Sequence, residues 1–249
     1  MFDTHCHLFS EPLKSNCEAV LERAAALGVQ RILIPSVSRE TIVGLLCGER
    51  PKRVRVHHAY GIHPWWAGEG VDIPWLAGCL EKGRASAVGE IGLDWKTGPA
   101  RDVQTGVFQS QLQLAAELEL PVILHCRGAF FDMLEILKDY PVTGVVHAWS
   151  RGPVLMERFL EAGMFISFGG AVTRPGANRA AEIAKIVPAN RYVIETDAPS
   201  LGLHGVPAGE SEPAHVAMVL SAMAALREES PEATASCAMS NSLELFKES

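Results

Sequence analysis

The six cysteines, at 6, 17, 47, 79, 126 and 237, are scattered and form no CxxC pair. Without such pairs a disulfide frame is not expected, and in a reducing compartment the thiols should stay free in apolar surroundings. The sequence also lacks an apolar run long enough to cross a bilayer. A basic region followed by an apolar one is missing at the start, where acidic Asp3 and polar residues stand instead, so a secretory signal is not expected and the protein is read as cytoplasmic. Low-complexity and linker-like segments are absent. Positive charge is in short supply: 22 Lys and Arg face 29 Asp and Glu, for a net charge of −7. That balance argues against a protein that coats nucleic acid by long-range attraction. It leaves room for an enzyme that grips one or two phosphates in a cationic pocket.

What is present is an ordinary globular composition, 48 % hydrophobic and 20 % charged over 249 residues, enough to bury a large core. β-rich runs at 2–8, 31–36, 54–60, 85–90, 121–126, 143–148, 164–169 and 191–197 alternate with helical stretches. Helices are read at 17–27, closed by Gly28, at 102–119, at 129–139, and at 153–162, where Pro153 suits a first helical position. The tail, 213–247, reads as two further helices. Repeated βα units imply parallel strands covered by helices. Eight of them predict an α/β fold of the (β/α)8 TIM-like barrel class, as a single domain over 1–249. The alternative is an open doubly wound sheet, which normally carries a glycine-rich phosphate loop after its first strand. Here "HLFSEPLKS" follows instead.

The polar residues fall at strand ends. Of nine histidines, five lie in such positions: His5 and His7 in "DTHCHL", His63 in "GIHP", His125 in "HCR" and His147 in "HAW". Glu90 ends the fourth run, and Glu195 and Asp197 end the eighth in "ETDAP". Residues two apart on a strand share a face, so His5 and His7 project together, with Asp3 below them and Cys6 turned away toward a helix. A barrel builds its active site at the C-terminal ends of its strands. His5, His7, Glu90, His125, His147 and Asp197 are therefore expected to converge. Six ligand-type side chains are costly to bury without a cation. The set is too rich for one zinc and fits two divalent cations sharing a carboxylate, Zn2+ or Mn2+ on mixed nitrogen and oxygen ligands, or Mg2+ with several waters.

These stretches resemble the TatD family of metal-dependent hydrolases, within the broader amidohydrolase-like barrels. The matching residues are Asp3-Thr4-His5-Cys6-His7, Gly61-Ile62-His63-Pro64, Val88 to Asp94, His125-Cys126-Arg127, His147, and Glu195-Thr196-Asp197-Ala198-Pro199, with "EPAHV" and "NSLELF" further on. The resemblance implies a TIM-like barrel, one or two divalent metals, and phosphodiester hydrolysis, typically as a DNase or 3′–5′ exonuclease. By motif match, His5, His7 and Asp197 hold the first metal, Glu90 bridges, and His125 and His147 hold the second. His63 and Glu195 match positions that the family uses near substrate or metal.

The sequence departs from the family at Glu210-Ser211-Glu212-Pro213, where members often carry Arg-Asn-Glu-Pro. Loss of that cation keeps open a metallohydrolase acting on a small phosphoester, amide or lactone. Where many related barrels bridge their metals with a carboxylated lysine, this chain offers Glu90. Asp197 is read as the group that orients or deprotonates the attacking water, with Glu195 as the alternative base. His63 and Arg127 are the candidates for neutralising phosphate charge, and Arg127 equally suits a surface ion pair. Trp65, Trp66, Trp95 and Trp149 fall in loops at the mouth, either stacking on bases or capping the barrel, with Trp66 taken as the substrate contact. DNA or another phosphoester is the expected partner; no obligate protein partner is evident.

Overall fold

The computed structural model describes residues 1–48 and 51–246. Eight strands, β1 (Phe2–Asp3), β2 (Arg31–Pro35), β3 (Arg55–Tyr60), β4 (Ala87–Asp94), β5 (Val122–Arg127), β6 (Gly144–Val146), β7 (Met164–Phe168) and β8 (Tyr192–Ile194), lie side by side in chain order. Every neighbouring pair from β1·β2 to β7·β8 is parallel. The barrel closes where the chain after β1 meets the chain after β8. Thr4 N–H donates to the Ile194 carbonyl (3.1 Å), Asp197 N–H to that of His5 (2.9 Å) and His7 N–H to that of Ala198 (2.8 Å). Asp3 clamps the same seam, accepting from Thr196 N–H at 2.9 Å and Thr196 Oγ1 at 2.7 Å.

The expected barrel is thus what the chain forms, and the open sheet is not. The strand ends differ from the sequence reading in one consistent way. The first, sixth and eighth end early, although residues beyond them still bond to neighbouring strands: Cys6 N–H donates to the Leu33 carbonyl, His147 N–H to that of Leu124 and Glu195 N–H to that of Phe168. The fourth runs on past Glu90 to Asp94. Its pairing with β5 shifts register between Val88 and Ile91, so Glu90 sits within an irregularity that re-aims its side chain. Gly92 makes this approach feasible: at φ +144° it occupies a region unfavourable to other residues, and a Cβ there would fall on the His125 carbonyl oxygen.

Nine helices are described, α1 (Cys17–Ala26), α2 (Arg39–Cys47), α3 (Ile73–Gly83), α4 (Arg101–Glu117), α5 (Phe130–Leu137), α6 (Pro153–Glu161), α7 (Asn178–Ile186), α8 (Val216–Arg227) and α9 (Pro231–Leu245). The sequence reading located α1, α4, α5, α6 and the two tail helices. Lys247, the end of that last expectation, lies outside the described residues. The helices α2, α3 and α7 are not among those expected. Interior glycines (Gly44, Gly78) interrupt the periodicity of α2 and α3, and small alanines blur that of α7. Local signals nevertheless start two of them: Ser38 and Thr41 form a capping box on α2, and the Asp72 carboxylate caps α3 by accepting from Trp75 N–H. Among the described residues, no helix is long and apolar enough to cross a membrane.

The interior holds two apolar layers. One lies between strands and helices and includes Cys6, turned away from its histidine neighbours as expected. The other fills the barrel with one residue from each strand: Phe2, Leu33, Ala59, Ala87, Ile123, Val145, Phe165 and Val193. Leu245 and Phe246, at the end of α9, join this inner layer and close the end of the barrel away from the strand C-termini. Truncation of the fully buried Phe246 to Ala is expected to lower the unfolding free energy by about 3 kcal/mol or more, read as a lower urea midpoint at unchanged slope.

Candidate metal centre

The mouth of the barrel collects polar side chains that the apolar layer below cannot accommodate. His5, Glu90, Glu195, Asp197 and His63 are all buried, from fully to 6 % exposed. His5 and His7 leave β1 together, Glu90 rises from the irregular part of β4, His125 from β5, His147 from just beyond β6, and Glu195 and Asp197 from just beyond β8. His63 follows β3 at the head of a 3-10 turn, Pro64–Glu69. Asp197 and Ala148 both have left-handed backbones (φ 53° and 49°), a local strain that is tolerated where surrounding structure over-determines the chain.

Glu90 divides these donors in two. Its Oε2 lies 3.3 Å from His5 Nε2 and 3.7 Å from His7 Nε2. Asp197 Oδ1 completes this group at 3.8 and 3.4 Å from the same two nitrogens, which are 3.3 Å apart. Its Oε1 lies 3.1 Å from His125 Nδ1 and 3.0 Å from His147 Nε2, themselves 3.3 Å apart. Four ligands held tetrahedrally at ordinary zinc distances lie about 3.4 Å from one another. Both groups therefore have the spacing and the mixed nitrogen and oxygen chemistry of a divalent cation site. All six residues expected from the sequence are brought together.

His63 Nε2 also approaches Glu90 Oε1, at 3.4 Å, but its role differs. Its Nδ1 accepts a hydrogen bond from Trp65 N–H at 3.2 Å, which places the proton of the neutral ring on Nε2. His63 therefore presents an N–H to the site rather than a lone pair.

The electrostatics follow from burying acids among imidazoles. Burial opposes ionisation of Glu90, yet His147, His63 and His5 outweigh it and hold the carboxyl well below its usual range. Asp197 is lowered in the same way, against its burial, by His7, His5 and His147. Burial also opposes charge on His147, but Glu90 and Glu195 raise it well above the ordinary value. His7 and His125 are raised too, by Asp197 and by Asp94 with Glu90, against the effect of burial. His63 is lowered, chiefly by burial. Burial pushes the Asp3 carboxyl up to about 8. The carboxylates thus favour protons on His7, His125 and His147, which a bound cation would displace.

Behind the histidines stand two carboxylates. Glu195 Oε1 lies 3.6 Å from His147 Nδ1 and accepts from Ala148 N–H at 2.6 Å, while its Oε2 accepts from Ser167 Oγ at 2.5 Å. Asp94, which the sequence reading did not single out, accepts from His125 Nε2 at 3.2 Å, Trp65 Nε1 at 2.7 Å, and the Lys96 and Thr97 N–H groups at 2.8 and 3.1 Å. Its position four residues beyond Glu90 on one strand was the available signal, hidden by ending that strand too early.

The remaining expected residues scatter. The Arg127 side chain is 56 % exposed, its Nη1 3.9 Å from Asp94 Oδ2. Trp66 is exposed at 40 %, with its N–H on the His63 carbonyl. Trp149 is core: it is buried against Phe130 and Phe159, and its Nε1 donates to the Arg151 carbonyl. Trp95 Nε1 donates to Asp132. In the segment that departs from the family pattern, Ser211 Oγ donates to the Leu201 carbonyl, and Glu212 forms a bidentate pair with Arg23 of α1.

A family model described as "TatD related DNase" matches residues 2–247. The chain is 34 % identical to "Uncharacterized metal-dependent hydrolase YabD" of Bacillus subtilis (strain 168), over 99 % of each protein. It is 31 % identical to "3'-5' ssDNA/RNA exonuclease TatD" of Citrobacter rodentium (strain ICC168), over 99 % of this chain and 97 % of that one. The crystal structure of the TatD homologue YjjV from Escherichia coli K12 superposes with a TM-score of 0.90 at 33 % identity, covering 99 % of this chain and 97 % of the other. The chain belongs to the TatD family and is a metal-dependent hydrolase.

Proposed function

We propose that the protein is a two-metal phosphodiesterase that removes nucleotides from the 3′ end of single-stranded DNA, acting in the cytoplasm as one barrel domain over residues 1–249. The observation that carries the reading is the Glu90 carboxylate, with one oxygen facing the His5, His7 and Asp197 group and the other facing His125 and His147. His5, His7 and Asp197 would hold one ion, His125 and His147 the other, and Glu90 both. This donor set suits Zn2+ or Mn2+ better than Mg2+, which prefers oxygen. The exonuclease named among the relatives supports the substrate class.

Divalent ions held there lower the pKa of a water and draw charge from a phosphoryl oxygen. The protein's own groups do the rest. Water attacks phosphorus in line, a new P–O bond forms, and the bond to the leaving oxygen breaks. Asp197 is better placed than Glu195 to take the proton from that water, because Glu195 already accepts from Ala148 and Ser167. Glu195 and Asp94 instead hold His147 and His125 in the ring orientation that points their lone pairs at Glu90's side of the site. His63, with its proton on Nε2, donates toward the leaving oxygen. Arg127 offers a guanidinium fork to a phosphate of the strand.

The direct test is digestion of a labelled single-stranded oligodeoxynucleotide by metal-stripped protein with Mg2+, Mn2+ or Zn2+ restored. Metal-dependent shortening is expected, falling by at least about 100-fold in His125→Ala, the upper end of what loss of an outer-shell partner costs. No cleavage with any ion would turn the reading to small phosphoesters, amides or lactones. Elemental analysis should find two equivalents per chain in the wild type, one fewer in His7→Ala and in His147→Ala, and none in Glu90→Ala. A wild-type value of one would remove the two-ion reading.

A further inference from the structure

Trp65 stands out among the aromatic residues of the mouth. Its ring lies 4.8 Å from that of His63 and 6.2 Å from that of His125, both edge-on. Yet the residue is 47 % exposed. Its one polar atom is already used, since Nε1–H donates to Asp94 Oδ2 at 2.7 Å. Asp94 is 1 % exposed and is itself fixed by His125 and by two backbone N–H groups. The ring is therefore held in one orientation beside the reacting groups, with much of its apolar surface left to water. Other tryptophans are covered: the Arg39 guanidinium lies over Trp75 at 4.2 Å and that of Arg101 over Trp95 at 5.1 Å. Two exposed cationic residues are close by: the Arg127 guanidinium lies 3.9 Å from Asp94 Oδ2, and the Lys96 side chain runs past Gly128, next to Arg127 in the chain.

We propose that Trp65 is the platform on which the nucleobase next to the scissile phosphodiester stacks, with Asp94 as the positioning residue that anchors the ring to His125. The proposal rests on the nuclease reading above. A fixed aromatic ring binds a base at little cost in side-chain entropy, and stacking is tolerant of sequence because every base has a π-face. The flanking cations suit the phosphates on either side of that base. Trp66, the sequence-based choice, has the same residue type and similar exposure, but its indole has no comparable link to the histidines.

The experiment compares kcat/KM for a single-stranded oligodeoxynucleotide with that for the same strand lacking its 3′-terminal base. The readout is the ratio of the two, not either absolute rate. Wild-type protein is expected to favour the intact strand by about tenfold, the size of one base–aromatic stack. In Trp65→Ala the ratio should fall to near one. Trp65→Phe, which keeps a ring but loses the bond to Asp94, should lie between the two and carries the test if the alanine variant does not fold. Trp66→Ala should keep the wild-type ratio. A purely structural role for Trp65 would lower both rates together and leave the ratio unchanged, which overturns the platform. A wild-type ratio near one, or a ratio that moves with Trp66→Ala in place of Trp65→Ala, overturns the platform and leaves the nuclease reading intact. Wild-type protein that cuts neither strand with any of the three ions overturns both.

Discussion

The carboxylate of Glu90 faces histidines on two sides, and the rest of the mouth is arranged around that fact. A buried carboxylate with one oxygen 3.3 Å from His5 and the other 3.0 Å from His147 cannot be moved without breaking both groups. The irregular pairing of β4 on β5, the glycine at 92 and the left-handed turns at Ala148 and Asp197 all bring side chains to that one group. The apolar layer beneath, with one residue from each strand, takes no part in it. The turn at Asp197 serves both: its N–H closes the barrel on the His5 carbonyl, and its carboxylate joins the cluster at the mouth.

Much of this was legible in the sequence because strand-end histidines and acids are unusual. His5, His7, His125, His147, Glu90 and Asp197 each follow an apolar β run, and a parallel barrel brings such positions to one face whatever their separation along the chain. What could not be read was the layer behind them. Asp94 stands at the end of a recognised motif but beyond the β run that closes at Glu90; its pairing with Arg127 of β5 shows that the strand continues. Trp149 and Trp65 had the same apparent address at the mouth, yet one is buried against Phe130 and Phe159 while the other stays half open. Side-chain packing of that kind depends on which helix covers which loop, and no local pattern carries it. The three helices outside the sequence reading, α2, α3 and α7, carry glycine or alanine within their apolar faces and take their stability from the barrel they cover.

The two outer carboxylates divide the labour of holding the histidines. Asp94 is hydrogen-bonded to Nε2 of His125, and Glu195 stands 3.6 Å from Nδ1 of His147, so the two rings meet Glu90 through different nitrogens. Each carboxylate also accepts from other protein donors: Ser167 and Ala148 N–H for one, Trp65 and the Lys96 and Thr97 N–H groups for the other. Those bonds fix the outer pair, while Glu90 and Asp197 face the mouth.

The seam between β1 and β8 has a consequence for the order in which the molecule is made. Thr196 and Asp3, which clamp it, stand 193 positions apart. His5 and His7 emerge early from the ribosome, but the Asp197 that shares their cluster emerges only after all eight strands have been synthesised. The His125 and His147 side of the mouth has its donors, including Glu90, well before then. A nascent chain therefore owns one half of its centre while the other half waits for the ring to shut, and β1, with only two residues in the ladder, has little to hold it in place until β8 arrives. Closure of the barrel and completion of the centre share one seam, whose partners lie far apart in sequence.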